Sequence, residues 1–161
     1  MHDAANYLNL IYTANDVPLN TDGTLSLTIS GIYNGNYYIT VKHRNSLETV
    51  TANAILFNTS VISYNLSDAV AKAFGDNLKS MGGGVFAVYA GEVSSLSGLY
   101  PSTPLQDAFI DLIDGYYIYS SYLNGDLGYL PGDINGDGIV DLVDAYTSYG
   151  NYLLGIYAIT P

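Results

Sequence analysis

Cysteine and tryptophan are absent from the 161 residues, and only four side chains are basic. Without cysteine there is no disulfide framework and no thiolate for metal or nucleophilic chemistry. The four bases, Lys42, Arg44, Lys72 and Lys79, all precede residue 80, whereas the chain beyond it carries nine acids. A net charge of −11 distributed in this way argues against nucleic acid as a partner. His2 and His43 are the only histidines, so no nucleophile–base or acid–base set is left, and the chain is not expected to be an enzyme. Long apolar runs are also missing, none approaching the roughly 20 residues that cross a bilayer. No basic-then-apolar leader opens the chain, and Met1-His2 reads as an expression start, as expected of a piece excised from a longer protein.

What the chain has in place of bases is a pattern of short acids. In Asp133-Ile134-Asn135-Gly136-Asp137-Gly138-Ile139-Val140-Asp141-Leu142-Val143-Asp144, oxygen-bearing side chains fall at positions 1, 3, 5, 9 and 12 of a twelve-residue loop, with Gly138 at position 6. Calcium takes six to eight oxygen ligands, and an EF-hand loop supplies them from positions 1, 3, 5, 7, 9 and 12, turning at a glycine at position 6. On that pattern Asp133, Asn135, Asp137 and Asp144 bind by side chain, Ile139 by its carbonyl, and Asp141 directly or through water. Position 12 is Asp rather than Glu, and Pro131-Gly132 rules out an entering helix.

In both respects the segment resembles the dockerin family, whose repeats are a calcium loop followed by one helix. A second copy lies thirty residues upstream. Phe109-Ile110-Asp111-Leu112-Ile113-Asp114 aligns with Ile139-Val140-Asp141-Leu142-Val143-Asp144, and the match continues through Tyr119/Tyr149, Tyr122/Tyr152 and Leu123/Leu153. In that copy Asp107, Phe109, Asp111 and Asp114 hold positions 5, 7, 9 and 12. Position 6 is Ala108, and Glu92 and Ser94, the occupants of positions 1 and 3, lie beyond an insertion at 95–106. Either the insertion loops out and these groups converge on a second ion, or the first repeat is scaffold. Seven or eight of the nine acids beyond residue 80 belong to the two loops, so the charge imbalance is mostly ligand charge.

Residues 1–67 are expected to form a β-sandwich domain, 68–90 a linker helix and connecting strand, and 91–161 the calcium module, an α+β chain overall. Strands are expected over 7–12, 24–30, 37–43, 47–56 and 61–66, and a short helix over 68–75 capped by Ser67 or Asp68 and closed by Gly75. The segment Gly35–Val50 resembles a strand pair of transthyretin-like and carboxypeptidase-regulatory-like sandwiches, and the whole resembles a module at the C-terminal ends of secreted bacterial proteins. His43 and Arg44 are either a ligand-binding edge or a hairpin turn in which Arg44 pairs with Glu48.

Leu112, Tyr116, Tyr119 and Leu123, and likewise Leu142, Tyr146, Tyr149 and Leu153, fall at helical spacing, so the two stripes are expected to pack on each other as a core. Tyr117, Ile118, Tyr122, Tyr152 and Leu154 are then left for an exposed face, to meet either a partner or the β domain. The dockerin resemblance implies a secreted attachment module with two calcium ions, or one at minimum, and a cohesin-like partner. In that family the partner is met by loop positions 10 and 11, here Leu112-Ile113 and Leu142-Val143, and by the helix after them. The alternatives are a polysaccharide-binding module using Tyr37, Tyr38 or Tyr64, and a purely structural terminal module. Short-carboxylate calcium loops suit the cell exterior, where the ion is abundant.

Overall fold

The computed structural model describes residues 1–94, 100–101 and 105–161, so most of the 95–106 insertion lies outside the described residues. The chain is α+β, with three small antiparallel sheets followed by two helices. One sheet joins β1 (His2–Asp3), β2 (Asn36–Tyr38) and β5 (Ile55–Leu56) in the order β1-β2-β5; β3 (Thr40–His43) pairs with β4 (Ser46–Val50), and β6 (Lys79–Gly82) with β7 (Val85–Ala87).

The expected strand over 37–43 is realised as β2 and β3, because the chain changes partners at Ile39. Its N–H donates to Thr51 Oγ1 at 3.1 Å and its carbonyl accepts from Thr51 N at 3.0 Å, while β2 and β3 pair on different sheets. The run 47–56 divides correspondingly into β4 and β5. Segments 7–12, 24–30 and 61–66 form no strand among the described residues, apart from one bridge between His2 and Leu10. The alternation in 24–30 meets no neighbouring strand to satisfy its backbone, and Leu25 and Leu27 stay exposed. A period-2 pattern makes a strand only where a partner ladder exists. The helix expected over 68–75 is two 3₁₀ turns, Val70–Lys72 and Phe74–Asp76, whose N-caps Ala69 and Ala73 supply no side-chain bond. Gly75 lies at φ 67°, where an α-helix cannot continue.

The helices are α1 (Leu112–Asn124) and α2 (Leu142–Tyr152), each opened by an aspartate capping box, Asp111 with Asp114 and Asp141 with Asp144. The two repeats exchange backbone bonds at a constant offset of thirty residues. Val140 N donates to Asp126 O and Ile110 N to Ile156 O; Gly128 N donates to Gly138 O and Ala158 N to Ala108 O. Each repeat's tail therefore pairs with the other repeat's loop, through the bridges Leu127–Ile139 and Phe109–Tyr157.

The expected facing of the helices is inverted. Tyr117 and Ile118 are buried with Val93 and Val140, and Tyr122 packs against them. Leu112, Tyr116, Tyr119 and Leu123, with Leu142, Tyr146, Tyr149 and Leu153, are exposed instead. Of the face expected to be open, only Leu154 is fully exposed, Tyr152 being half-buried. The cause lies in α2, whose buried side is polar. Ser148 Oγ donates to Gly91 O at 3.0 Å and Asn151 Nδ2 to Ala90 O at 2.6 Å, so hydrogen bonding rather than hydropathy decides which side turns inward.

Candidate metal centre

Loop 2, residues 133–144, is wound around its own carboxylates. Asp133 Oδ1 accepts from Gly136 N (2.8 Å) and Oδ2 from Gly138 N (3.2 Å), closing the first half. Asp144 Oδ1 accepts from Ile134 N (2.8 Å) and Asn135 N (3.0 Å), and Oδ2 from Asp141 N (2.9 Å), tying the end of the loop to its beginning. Asn135 Oδ1 accepts from Asp137 N, Asp137 Oδ1 from Ile139 N, and Asp141 Oδ1 from Val143 N. Positions 1 and 12 are buried, whereas Asn135 and Asp137 are open to solvent.

Loop 1 repeats this scheme across the insertion. Asp114 Oδ1 accepts from Val93 N (2.7 Å) and Ser94 N (2.9 Å), and Oδ2 from Asp111 N (2.8 Å). Phe109 N donates to Asp107 Oδ1 and Ile113 N to Asp111 Oδ1, while Asp107 N donates to Glu92 Oε1 at 3.0 Å. Asp107, Asp111 and Asp114 therefore accept as Asp137, Asp141 and Asp144 do, whereas the position-5 N–H turns to Glu92 in loop 1 and to Asn135 in loop 2; Ala108, at φ 73°, takes the left-handed conformation of Gly138 at φ 85°. A left-handed residue with a Cβ costs about 1–2 kcal/mol. Ala108→Gly, after its own entropic penalty, is expected to raise stability by roughly 0.5–1 kcal/mol in urea melts; a lower midpoint would count against strain at this turn.

Burial pushes the Glu92 carboxyl up to about 8 against the opposing bond from Asp107 N, the charges of Asp114 and Asp107 adding to the rise and that of Lys42 opposing it. Burial likewise raises Asp114 to about 6. Among the described residues no group of three His, Asp or Glu side chains is drawn together as a finished metal centre; the carboxylates face backbone N–H groups. A carboxylate oxygen has two lone-pair sites, so accepting an N–H bond leaves capacity for a cation. The donor set, carboxylate, carboxamide or hydroxyl, and backbone carbonyl, is entirely oxygen and suits a hard divalent cation such as calcium rather than a soft metal.

Arg44 does not pair with Glu48; Lys42 does, from the neighbouring strand position. Arg44 reaches away from the hairpin to loop 2. Its Nε donates to Leu130 O at 3.0 Å and its Nη2 to Asp133 O at 2.8 Å, with the guanidinium 3.4 Å from the centre of the Tyr129 ring. His43 Nε2 meets the Tyr129 hydroxyl at 3.1 Å. The sequence reading missed Arg44, Asn45, Gln106 and Gly91 as parts of the site. The one available signal was that Arg44 is the sole arginine in a chain whose acids gather elsewhere.

The exposed stripes of α1 and α2 line a trough of about 420 Å³, with Tyr116, Tyr119, Tyr146 and Tyr149 on its walls and Gly115 and Ala145 between them. By contrast Tyr37, Tyr38 and Tyr64 are half-buried. Tyr37 packs edge-on against Phe57, Tyr38 against Phe74, and the Tyr64 hydroxyl donates to Lys72 O. Comparison with protein-family models, curated proteins and solved structures finds no match to the chain.

Proposed function

We propose that the chain is a non-catalytic, calcium-ordered attachment module of a secreted or cell-surface bacterial protein. In this reading a small sandwich-like β unit (1–67) is followed by a connector (68–90) and a dockerin-like pair of loop–helix repeats (91–161). The residues at positions 1, 3, 5, 7, 9 and 12 of loop 2, and their counterparts in loop 1, hold one ion each. The ions add positive charge to eight loop carboxylates that otherwise meet only Arg44, 3.9 Å from Asp133 Oδ2, and Lys42 near Glu92 among the described residues.

The observation that carries the docking role is the aromatic trough. Its walls are the two helices capped by the position-9 and position-12 aspartates, so whatever orders the loops also sets the spacing of the walls. Tyrosines in such a setting give large contact area at low rotamer cost, and a cohesin-like protein is the expected occupant. Tyrosines engaged internally on the β unit offer no flat platform there, which disfavours the polysaccharide alternative.

Calorimetric titration of metal-stripped protein with calcium should give two ions per chain, and melting should shift upward with the ion. No heat and unchanged melting would overturn the calcium reading. A Tyr116→Ser, Tyr146→Ser double variant, truncating two exposed side chains, should melt within a few degrees of the parent in calcium. It should also weaken capture by a panel of cohesin domains more than tenfold, as loss of hot-spot aromatics does. Capture unaffected by the double variant would remove the trough from the docking role, and no capture at all would favour the purely structural module.

A further inference from the structure

The same four residues where β3 turns into β4, His43-Arg44-Asn45-Ser46, hold the position-1 residue of loop 2 directly and that of loop 1 through its neighbours Gly91 and Gln106. On the loop 2 side, the Asp133 carbonyl accepts from both Arg44 Nη2 (2.8 Å) and Asn45 Nδ2 (2.7 Å), which uses both of its lone pairs and sets the plane of the peptide after Asp133. On the loop 1 side, Gly91 N donates to Asn45 O at 2.8 Å, immediately before Glu92. Gln106 Nε2, one residue before Asp107, lies 2.9 Å from His43 O, 3.1 Å from Ser46 O and 2.7 Å from Glu92 O, sharing two hydrogens among three carbonyls. Gly91 is fixed on its other side by α2, since a Cβ there would stand 2.7 Å from Ser148 Cα, at φ 111°. Asn45 and Ser46 are themselves buried.

We propose that this turn couples the two metal loops, with Arg44 and Asn45 as positioning residues for loop 2 and Gln106 for loop 1, so that filling either loop strengthens binding in the other. The inference rests on the calcium reading above. The physical basis is ordering. Asp133 O presents itself to its two donors only when loop 2 is wound, so metal in loop 2 favours the docked turn. The docked turn holds Gly91 and Gln106, and with them the backbone of Glu92, in the arrangement loop 1 needs. Linkage makes the effect reciprocal. The swapped tails, Leu127 on Ile139 and Tyr157 on Phe109, are a competing route between the loops, and the test must separate the two.

The test is a double-mutant cycle read by calcium calorimetry on the full chain, with melting in saturating calcium to verify folding. Asp137→Ala removes an exposed loop 2 side chain, and in the parent turn it should weaken the remaining loop 1 step at least fivefold, the lower end of ordinary coupling. In an Arg44→Ala background that weakening should disappear, and Arg44→Lys, which keeps one donor and the charge, should restore part of it. Gln106→Ala should weaken the loop 2 step as well as the loop 1 step. If loop 1 responds to Asp137→Ala equally with and without Arg44, the swapped tails carry the coupling and the proposal is overturned. Arg44→Ala affecting loop 2 alone and Gln106→Ala loop 1 alone would overturn it too. Absence of any calcium heat from the parent chain would instead remove the calcium reading beneath it.

Discussion

Asp144→Ala is expected to unfold the second loop–helix repeat, costing on the order of 3–5 kcal/mol, the loss typical of removing one partner from a buried ionic network. The side chain is fully buried, and its two oxygens accept three backbone N–H bonds, from Ile134, Asn135 and Asp141. Alanine leaves those three donors without a partner and opens the capping box of α2. Water can reach some of them once the loop loosens, which is why the three penalties do not simply add. Because loop 2 lends Ile139 to the tail of the first repeat at Leu127, the damage should spread to α1. Asp144→Asn retains an acceptor oxygen and should keep part of the fold while losing the ion; Asp137→Ala, at an exposed position, should cost far less. Urea denaturation with calcium and in chelator checks all three, and a midpoint for Asp144→Ala close to that of the parent would contradict this account of the loop.

The contrast between Asp144 and the helix faces shows which parts of this molecule a sequence can express. Loop spacing is a local code, with ligand positions and turn glycine contained in twelve consecutive residues, and the thirty-residue echo stays legible because its aligned run, 109–123, lies wholly after the insertion, although the bonds from Val93, Ser94 and Asp107 cross it. Helix existence was legible from the spacing of Leu112, Tyr116, Tyr119 and Leu123 and of their counterparts thirty residues on, and the capping by Asp111 and Asp141 emerged with the structure. Facing was not. Periodicity places Leu142, Tyr146 and Tyr149 together but is silent on whether that stripe or its opposite is buried, and the deciding groups, Ser148 and Asn151, are polar residues whose partners lie about sixty residues away at Ala90 and Gly91. Three of the five expected strands of the β unit, 7–12, 24–30 and 61–66, failed for a related reason. Strand formation depends on a neighbour, and for residues 24–30 there is none among the described residues, whereas Ile39 splits its strand through Thr51 twelve residues away. Arg44 was misread because its nearest acid in sequence, Glu48, is taken by Lys42, leaving its donors free for carbonyls nearly ninety residues on.

Glu92→Gln should act in opposite directions with and without metal. The Glu92 carboxyl is 1% exposed and raised from 4.5 to about 8, burial being the main cause. In metal-free solution the folded chain keeps a proton that the unfolded chain releases between pH 4.5 and 8. That contribution to stability is complete below pH 4.5 and is lost as pH rises through about 8, so the metal-free parent should weaken steadily across the interval. One pKa shift of this size corresponds to an upper limit of about 5 kcal/mol. Relaxation of loop 1 and entry of water around the ionised group leave roughly 2 kcal/mol as the expected change. The amide does not titrate, so Glu92→Gln should flatten the slope, leaving stability near that of the parent at pH 5 and above it at pH 8. Calcium reverses the order, because a divalent cation favours the carboxylate and the variant offers loop 1 one fewer charge. Urea midpoints at pH 5, 6.5 and 8 in metal-stripped buffer, repeated in calcium, read both halves. Parallel pH dependence in the two proteins would show that Glu92 is not the titrating group, and a variant weaker than the parent at pH 8 in metal-stripped buffer would contradict this account of its charge, since the amide oxygen can still accept the bond from Asp107 N.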